Sequence, residues 1–154
     1  MSARLELQRV SQARPRPTRA AVQRWVDAAL VRLAAPAALT VRLVDTAEGQ
    51  QLNRAFRGID RATNVLSFPF ERLPGMPQRR RQLGDVIVCS PLVLAEAAAQ
   101  GKSAEAHYAH LIVHGVLHLI GFDHQEQEQA ARMEALETEI LTGLGYPDPY
   151  RSQD

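Results

Sequence analysis

The distribution of apolar residues along the chain predicts four short β-strands. Leu5 and Leu7 alternate with polar neighbours near the N-terminus, and later segments show the same period of two residues. The fourth segment is instead a continuous apolar run, which is typical of a strand buried on both faces of a sheet. The predicted strands span residues 3–10, 39–44, 63–68 and 86–89.

Five further segments carry apolar residues at the spacing of an α-helix. Thr18, Ser90 and Ser103 are favourable N-cap residues ahead of three of them, and Gly101 ends the helix that follows Ser90. The predicted helices span residues 19–34, 47–56, 91–100, 104–120 and 125–144.

The order of these elements, βαβαβ(loop)βααα, predicts a mixed α/β (α+β) fold in which a small four-stranded sheet packs with helices. The loop falls at residues 70–82, which contain two Pro and one Gly, and the tail from Pro147 onward is expected to be loose. A chain of 154 residues has the usual size of one domain, so we expect a single domain over residues 1–154.

Composition and charge narrow the class of protein. No apolar run reaches the roughly 20 residues of a membrane span, the N-terminus has no signal-peptide pattern, and Cys89 is the one cysteine. We therefore expect a cytoplasmic protein that does not contact a membrane.

Residues 1–81 contain fifteen Arg and six acids, whereas residues 82–154 contain three bases and eleven acids. This asymmetry of charge indicates either a face that binds a polyanion or an Arg-rich surface that contacts only solvent.

The strongest candidate for chemistry is the segment 114–124, which reads H-x-x-x-H-x-x-G-x-x-H. His114 and His118 lie one helical turn apart, so both imidazoles lie on one helix face and can bind one ion. Gly121 can adopt a positive φ, end the helix and bring His124 back as a third ligand. Three protein ligands leave a coordination position open, which is typical of a catalytic Zn²⁺ site, although imidazole also suits Ni, Cu, Co and Fe.

The same spacing occurs in the long zinc-protease motif, with one difference at Gly115. Those proteases have at this position the Glu that acts as general base. A metal that activates water can work without this base, and a phosphodiester would place anionic oxygens beside the ion. Asp85 and Asp123 are candidate partners for the ligand imidazoles, and Asp123 has two alternative roles, as a helix cap or as a general base.

Three other residues near the motif have competing interpretations. His107 and His110 lie on the same predicted helix and either support the metal site or contact substrate, or they lie on the surface. Cys89 lies in an apolar strand, so we expect it to pack as a small hydrophobic residue rather than to bind metal.

A second candidate segment spans residues 52–69 and predicts a helix, a turn at Gly58 and a strand. Arg57 lies at the end of this helix, where its charge would stabilise the negative end of the helix dipole. Alternatively, its guanidinium binds a phosphate in bidentate fashion and stabilises charge in a transition state. The residues alone leave both interpretations open.

Together these motifs resemble the YbeY family of bacterial endoribonucleases and ribosomal RNA maturation factors. The resemblance covers roughly residues 38–150, and two positions depart from the family pattern: Ile59 replaces a frequent Lys and Ala62 a usual Pro. The matching segments are Leu52-Asn53-x-x-Phe56-Arg57-Gly58, Asn64-Val65-Leu66-Ser67-Phe68-Pro69, Gly84-Asp85-Val86, residues 106–110, residues 114–124, Met133-Glu134-x-x-Glu137 and residues 144–150.

The resemblance implies a zinc-dependent, single-strand-specific endoribonuclease that acts in 3′-end maturation of 16S rRNA and in ribosome quality control. It also implies a small mixed sheet with the metal on a helix, a zincin-like arrangement. One Zn²⁺ would be bound by His114, His118 and His124, and the catalytic residues would be Arg57 and His114. The expected partners are single-stranded RNA, small-subunit rRNA and the ribosome, without DNA.

Two other classes of function remain open at this point. A metallopeptidase-like hydrolase is favoured by the histidine spacing and disfavoured by Gly115. A non-catalytic ribosome-assembly factor, in which a metal serves folding, is the other class.

Overall fold

The computed structural model describes residues 2–33, 35–71, 74–75, 81–123 and 125–151, which form four strands and five helices. The strands are β1 (Arg4–Arg9), β2 (Ala37–Val44), β3 (Val65–Pro69) and β4 (Arg81–Cys89). The helices are α1 (Arg19–Ala29), α2 (Thr46–Arg57), α3 (Ser90–Gln100), α4 (Ala104–Leu119) and α5 (Gln127–Gly143). Their order along the chain is the predicted one.

The strands form one mixed sheet in the order β1-β2-β4-β3. β2 pairs in parallel with β1 and β4, whereas β3 pairs antiparallel with β4 and forms one edge. Both faces of the two central strands carry buried residues: Val41 and Leu43 of β2 and Val86 and Val88 of β4 lie on one face, and Val44 and Ile87 lie on the other. The prediction of an α+β fold with a small four-stranded mixed sheet is confirmed.

Helices cover the two faces of the sheet unequally. Ten of the sixteen residues of α4 are buried, because this helix packs against β3 and β4 and also against α1, α3 and α5. On the opposite face, Leu52 of α2 and Phe68 of β3 pack on a small cluster of Val44, Leu66 and Ile87. The edge strand β3 therefore lies between α2 and α4.

Local sequence signals explain where several helices begin and end. Thr18 Oγ1 accepts a hydrogen bond from Ala21 N at 3.1 Å, and Ser103 Oγ accepts one from Ala106 N at 3.0 Å, so these two predicted N-caps are confirmed. The third predicted N-cap is wrong, because Ser90 is already the first residue of α3 and Cys89 precedes it as the N-cap. Gly58 ends α2 in the left-handed conformation, with φ 69°.

Three predicted boundaries are wrong. α1 ends at Ala29 rather than at residue 34, because Leu30 N donates to the carbonyl oxygens of Val26 and Asp27 and residues 30–32 form a turn. β4 begins at Arg81, inside the predicted loop 70–82, because Arg81 pairs with Ala37 of β2. The tail is ordered through Arg151 rather than loose: Lys102 Nζ donates to the carbonyl oxygen of Pro149 at 3.0 Å.

Across the described ranges, every helix is too short or too polar to cross a lipid bilayer.

Candidate active site

Two histidines converge near the end of α4. His114 Nε2 lies 3.1 Å from His118 Nε2, and the two rings are steeply inclined to each other, at 76°. The helical spacing of four residues places both imidazoles on one face, as the sequence predicts. Ring nitrogens that meet in this way are arranged as two ligands of one cation would be.

The chain reverses direction directly after this pair. Gly121 has φ 106°, a conformation that favours glycine, and Phe122 N donates to the carbonyl oxygen of Leu117 at 3.0 Å. His124, the predicted third ligand, lies outside the described residues. Its neighbours Asp123 and Gln125 both line the cleft beside His114. Within the described ranges, no group of three His, Cys, Asp or Glu side chains forms a metal-ligand set.

Glu137 of α5 supports His114 from the interior of the protein. Its carboxylate is fully buried and accepts hydrogen bonds from His114 Nδ1 and from the hydroxyl of Tyr150, while His110 Nε2 lies 3.3 Å from Oε2. Burial alone would raise the pKa of Glu137, but the three hydrogen bonds together outweigh it and hold the pKa at about 2. A carboxylate on Nδ1–H fixes the tautomer in which Nε2 carries the lone pair, the form that binds metals.

The role of Glu137 was not predicted, although α5 carries a signal for it. Glu137 lies in the buried stripe of this helix together with Met133 and Leu141, and an acid in an apolar stripe requires a polar partner. Two other acids, Asp85 and Asp123, were the partners for the ligand imidazoles proposed from the sequence. Asp85 is exposed on β4 and forms no hydrogen bond with a described histidine. Asp123 lines the cleft and does not cap α5, whose N-cap is Glu126.

His107 is buried, so its interpretation as a surface residue is wrong, whereas His110 is partly buried. His107 is 4% exposed, and its Nε2 lies 2.9 Å from Glu96 Oε1, which also accepts a hydrogen bond from Asn64 Nδ2 at 3.1 Å. Burial lowers the pKa of His107 below its ordinary value and so favours the neutral imidazole. His110 contacts the carboxylate of Glu137, which also accepts the hydrogen bond from His114.

Gly115 faces the sheet, where there is no room for a larger residue. A Cβ atom at this position would lie 2.6 Å from Val86 Cγ1 and 3.2 Å from Ser67 Oγ. Ser67 Oγ also donates to the carbonyl oxygen of Gly115 at 2.9 Å, which fixes α4 close to β3. The position that holds the general base in zinc proteases therefore serves helix-to-sheet packing here.

Gly115→Ala is expected to destabilise the protein. The added methyl group overpacks the α4–β4 contact at a cost of about 1–3 kcal/mol, and the better helix propensity of Ala offsets this by at most about 1 kcal/mol. Gly143→Ala is the matched control, because Gly143 is also helical and a Cβ there would meet nothing within 4 Å. Denaturant unfolding measures both variants, and a Gly115 variant as stable as the Gly143 variant would contradict the packing argument.

A cleft of about 620 Å³ adjoins the histidine pair. Its lining comes from α2 and the following loop, from the edge strand β3, and from the end of α4 with the turn after it. The lining residues include Asn53, Arg57, Ile59, Arg61, Asn64, Ser67, Pro69, His114, His118 and Asp123. The structure thus brings Arg57 to the same cleft as His114 and His118.

Two guanidinium groups of this lining are available to an anion. Arg57 and Arg61 are exposed, and neither forms a salt bridge with an acid of the described part of the chain. By contrast, Arg42 Nε lies 2.6 Å from Glu48 Oε2 and is neutralised locally. Ile59, at the position where the family often has Lys, lines the cleft as an apolar residue, and Arg61 supplies a cation two residues later.

One cleft therefore offers imidazole nitrogens suited to a cation and guanidinium groups suited to an anion. A phosphate ester fits this combination, because its oxygens can accept bidentate hydrogen bonds from Arg and can also bind a divalent metal. Cys89 contributes nothing to the site, since it is buried in β4, as expected.

Comparisons with known proteins identify the family. Residues 6–145 match the family model described as Endoribonuclease YbeY. The Endoribonuclease YbeY of Alkalilimnicola ehrlichii is 56% identical over 137 residues, which cover 88% of this chain and 82% of that protein. The Endoribonuclease YbeY of Pseudomonas putida strain W619 is 49% identical over 150 residues, 97% of this chain and 94% of the relative. The solution structure of TM1509 from Thermotoga maritima, at 22% identity, has the same fold with a TM-score of 0.58 and covers 97% of this chain and 99% of that one. The resemblance drawn from the motifs is confirmed: this chain belongs to the YbeY family of endoribonucleases.

Proposed function

We propose that this protein is a zinc-dependent endoribonuclease that cuts single-stranded RNA, acting in 3′-end maturation of 16S rRNA and in ribosome quality control. Membership of the family supplies the endoribonuclease activity and RNA as the substrate. The observation that carries the proposed site is the convergence of His114 Nε2 and His118 Nε2 on the cleft that Arg57 lines. We assign this activity to a single domain over residues 1–154 and to the cytoplasm, with the ribosome as partner.

The zinc ion would be held by His114, His118 and His124. Two nitrogens bound to one tetrahedral Zn²⁺ at about 2.0–2.1 Å lie about 3.3 Å apart, close to the 3.1 Å between the Nε2 atoms of His114 and His118. When bound, the ion would polarise a phosphate oxygen and lower the pKa of a water molecule toward neutrality. Glu137 keeps His114 in the tautomer that such binding requires.

Arg57 would position the phosphate at which cleavage occurs. Its guanidinium can donate two parallel hydrogen bonds to non-bridging phosphate oxygens, and these bonds strengthen as negative charge grows on those oxygens in the transition state. Arg61 lines the same cleft and would hold a neighbouring phosphate. The excess of Arg in residues 1–81 supports sequence-independent attraction to RNA, which weakens as the salt concentration rises.

The two alternative classes fit the site less well. A peptidase would need its general base next to His114, and the packing of Gly115 on Val86 and Ser67 leaves no space for that side chain. An assembly factor stabilised by its metal would need the ion to hold the core together. The larger core cluster instead joins buried apolar residues of α1, α3, α4, α5 and the sheet, and His114 and His118 are half-buried beside the cleft.

Removal of metal tests the proposed function. Chelation followed by dialysis should abolish cleavage of an end-labelled single-stranded RNA that carries a 16S 3′ end, and Zn²⁺ added back should restore the same cuts. The same RNA annealed to its complement serves as the double-stranded control and should stay intact. A contaminating nuclease that needs no metal would continue to cut after chelation. Cleavage that survives chelation and is absent from His114→Ala, purified in the same way, cannot come from a contaminant and would contradict the proposal. A large loss of thermal stability on chelation would favour the assembly role.

A further inference from the structure

An aromatic pair lies at the rim of the cleft. Phe56, in the last turn of α2, is 68% exposed, and its ring centroid lies 5.0 Å from that of Phe68 on β3. Asn53, one helical turn before Phe56 on the same side of α2, lines the cleft, and so does Leu66, which lies on the same face of β3 as Phe68. The two rings therefore belong to the rim even though they do not line its interior.

The Phe56 ring is held in place while much of its surface faces solvent. Phe68 packs against it at an interplanar angle of 57°, and Phe68 is itself anchored on the small cluster under α2. Single exposed apolar residues are ordinary on protein surfaces. An aromatic ring that is held in place beside a binding cleft is instead well suited to contact a ligand.

The cleft beside Phe56 is lined by cations. Arg57 follows Phe56 at the end of α2 and Arg61 lies on the next loop; both line the cleft and are exposed, and neither forms a salt bridge with an acid in the portion of the chain that the structure describes. Protein partners that bind an aromatic anchor bury it in an apolar core depleted of charge. An exposed ring at the rim of a cleft that carries unneutralised guanidinium groups instead matches the groove-and-aromatic pattern of proteins that bind single-stranded nucleic acid.

We infer that Phe56 is a stacking site for one unpaired base of the RNA, adjacent to the phosphate held by Arg57. This inference rests on the proposed function and adds a reason for its single-strand preference. A base within a duplex is stacked on both sides and cannot reach the ring, whereas an unpaired base can turn out of the strand and stack on it. Phe56 thereby selects for RNA structure without reading sequence, because every base presents a π-face.

The test compares Phe56→Ala with Phe56→Trp and with the control Val31→Ala. Val31 is 77% exposed in the turn after α1 and does not line the cleft, so it matches Phe56 in exposure alone. The probe is a fluorescein-labelled oligoadenylate with 2′-O-methyl riboses and phosphorothioate linkages, whose integrity is checked on a gel after each titration, and fluorescence anisotropy of the zinc-loaded full chain gives Kd. Phe56→Ala should weaken binding about 5- to 150-fold, and Phe56→Trp should stay within about twofold of the wild type. Val31→Ala should bind as the wild type does.

Duplex RNA and an abasic oligonucleotide separate stacking from other roles of Phe56. Phe56→Ala should leave the affinity for the duplex unchanged, and its defect should disappear for a strand that carries ribose phosphates without bases. Wild-type affinity of Phe56→Ala for the single strand, or an equal loss on single strand and duplex, would overturn the stacking site and leave the proposed nuclease intact. Failure of the wild type to bind single-stranded RNA would overturn both.

Discussion

His118→Ala is expected to lower the rate of RNA cleavage about 10³-fold or more and to leave the chain folded. The expected loss is large because the bound metal supplies several kcal/mol of transition-state stabilisation and each tenfold change in rate corresponds to about 1.4 kcal/mol. The fold should survive, since His118 is only half-buried and lines the cleft rather than the interior of the core. Cleavage of the labelled 16S 3′-end RNA, zinc content and thermal unfolding would be measured on protein purified in the same way as the wild type.

His114→Ala provides the informative comparison. It should be equally inactive but also less stable by about 1–3 kcal/mol, because buried Glu137 loses one of its three hydrogen-bond partners, whereas His118 is not among those partners. Activity retained in either variant would remove the metal from the mechanism. Unfolding of His118→Ala would mean that the ion stabilises the fold, as the assembly-factor alternative requires.

Arg57→Ala is expected to lower kcat about 10²- to 10³-fold while zinc content stays normal. The loss has the size seen when one preorganised donor to a developing oxyanion is removed. Arg57→Lys should recover only part of the activity, because an ammonium group cannot donate the bidentate pair of hydrogen bonds. Steady-state kinetics on the same RNA separates kcat from KM. In a plot of the logarithm of the binding constant against the logarithm of the salt concentration, the loss of one phosphate contact to the single strand should make the slope shallower by about 0.7.

Arg54→Ala is the matched control for this experiment. Arg54 lies in the same last turn of α2 and is exposed, but it does not line the cleft. Both substitutions remove a charge that stabilises the helix dipole, worth about 0.3–1 kcal/mol of stability. Equal behaviour of the two variants would therefore mean that Arg57 is only a helix-end charge, whereas a kcat defect confined to Arg57 would support its role at the phosphate.

Features governed by neighbouring residues were predictable from the sequence. Thr18 and Ser103 cap their helices through bonds to backbone three residues away, and Gly121 adopts the positive φ expected of it. The helical spacing of His114 and His118 was sufficient to predict that their imidazoles meet. Each of these properties depends on a few consecutive residues, so contacts with distant parts of the chain do not change it.

Features that depend on distant parts of the chain were not predictable in this way. The start of β4 at Arg81 is set by pairing with Ala37, more than forty residues earlier, and not by the composition of the loop. Glu137 meets His114 because α5 packs on α4, a contact that no periodicity within either helix reports. The orientation of Gly115 toward Val86 likewise requires knowledge of which side of α4 faces the sheet.

The hydrogen bond from Tyr150 to Glu137 connects the segment after α5 to the proposed metal ligand His114. Glu137 accepts from the Tyr150 hydroxyl and from His114 Nδ1, so one buried carboxylate joins the two side chains. Partners of this kind orient a ligand imidazole and tune its affinity for an ion. On the proposed role of His114, a change in the segment that carries Tyr150 would therefore alter the affinity for the ion without replacing any residue that binds it.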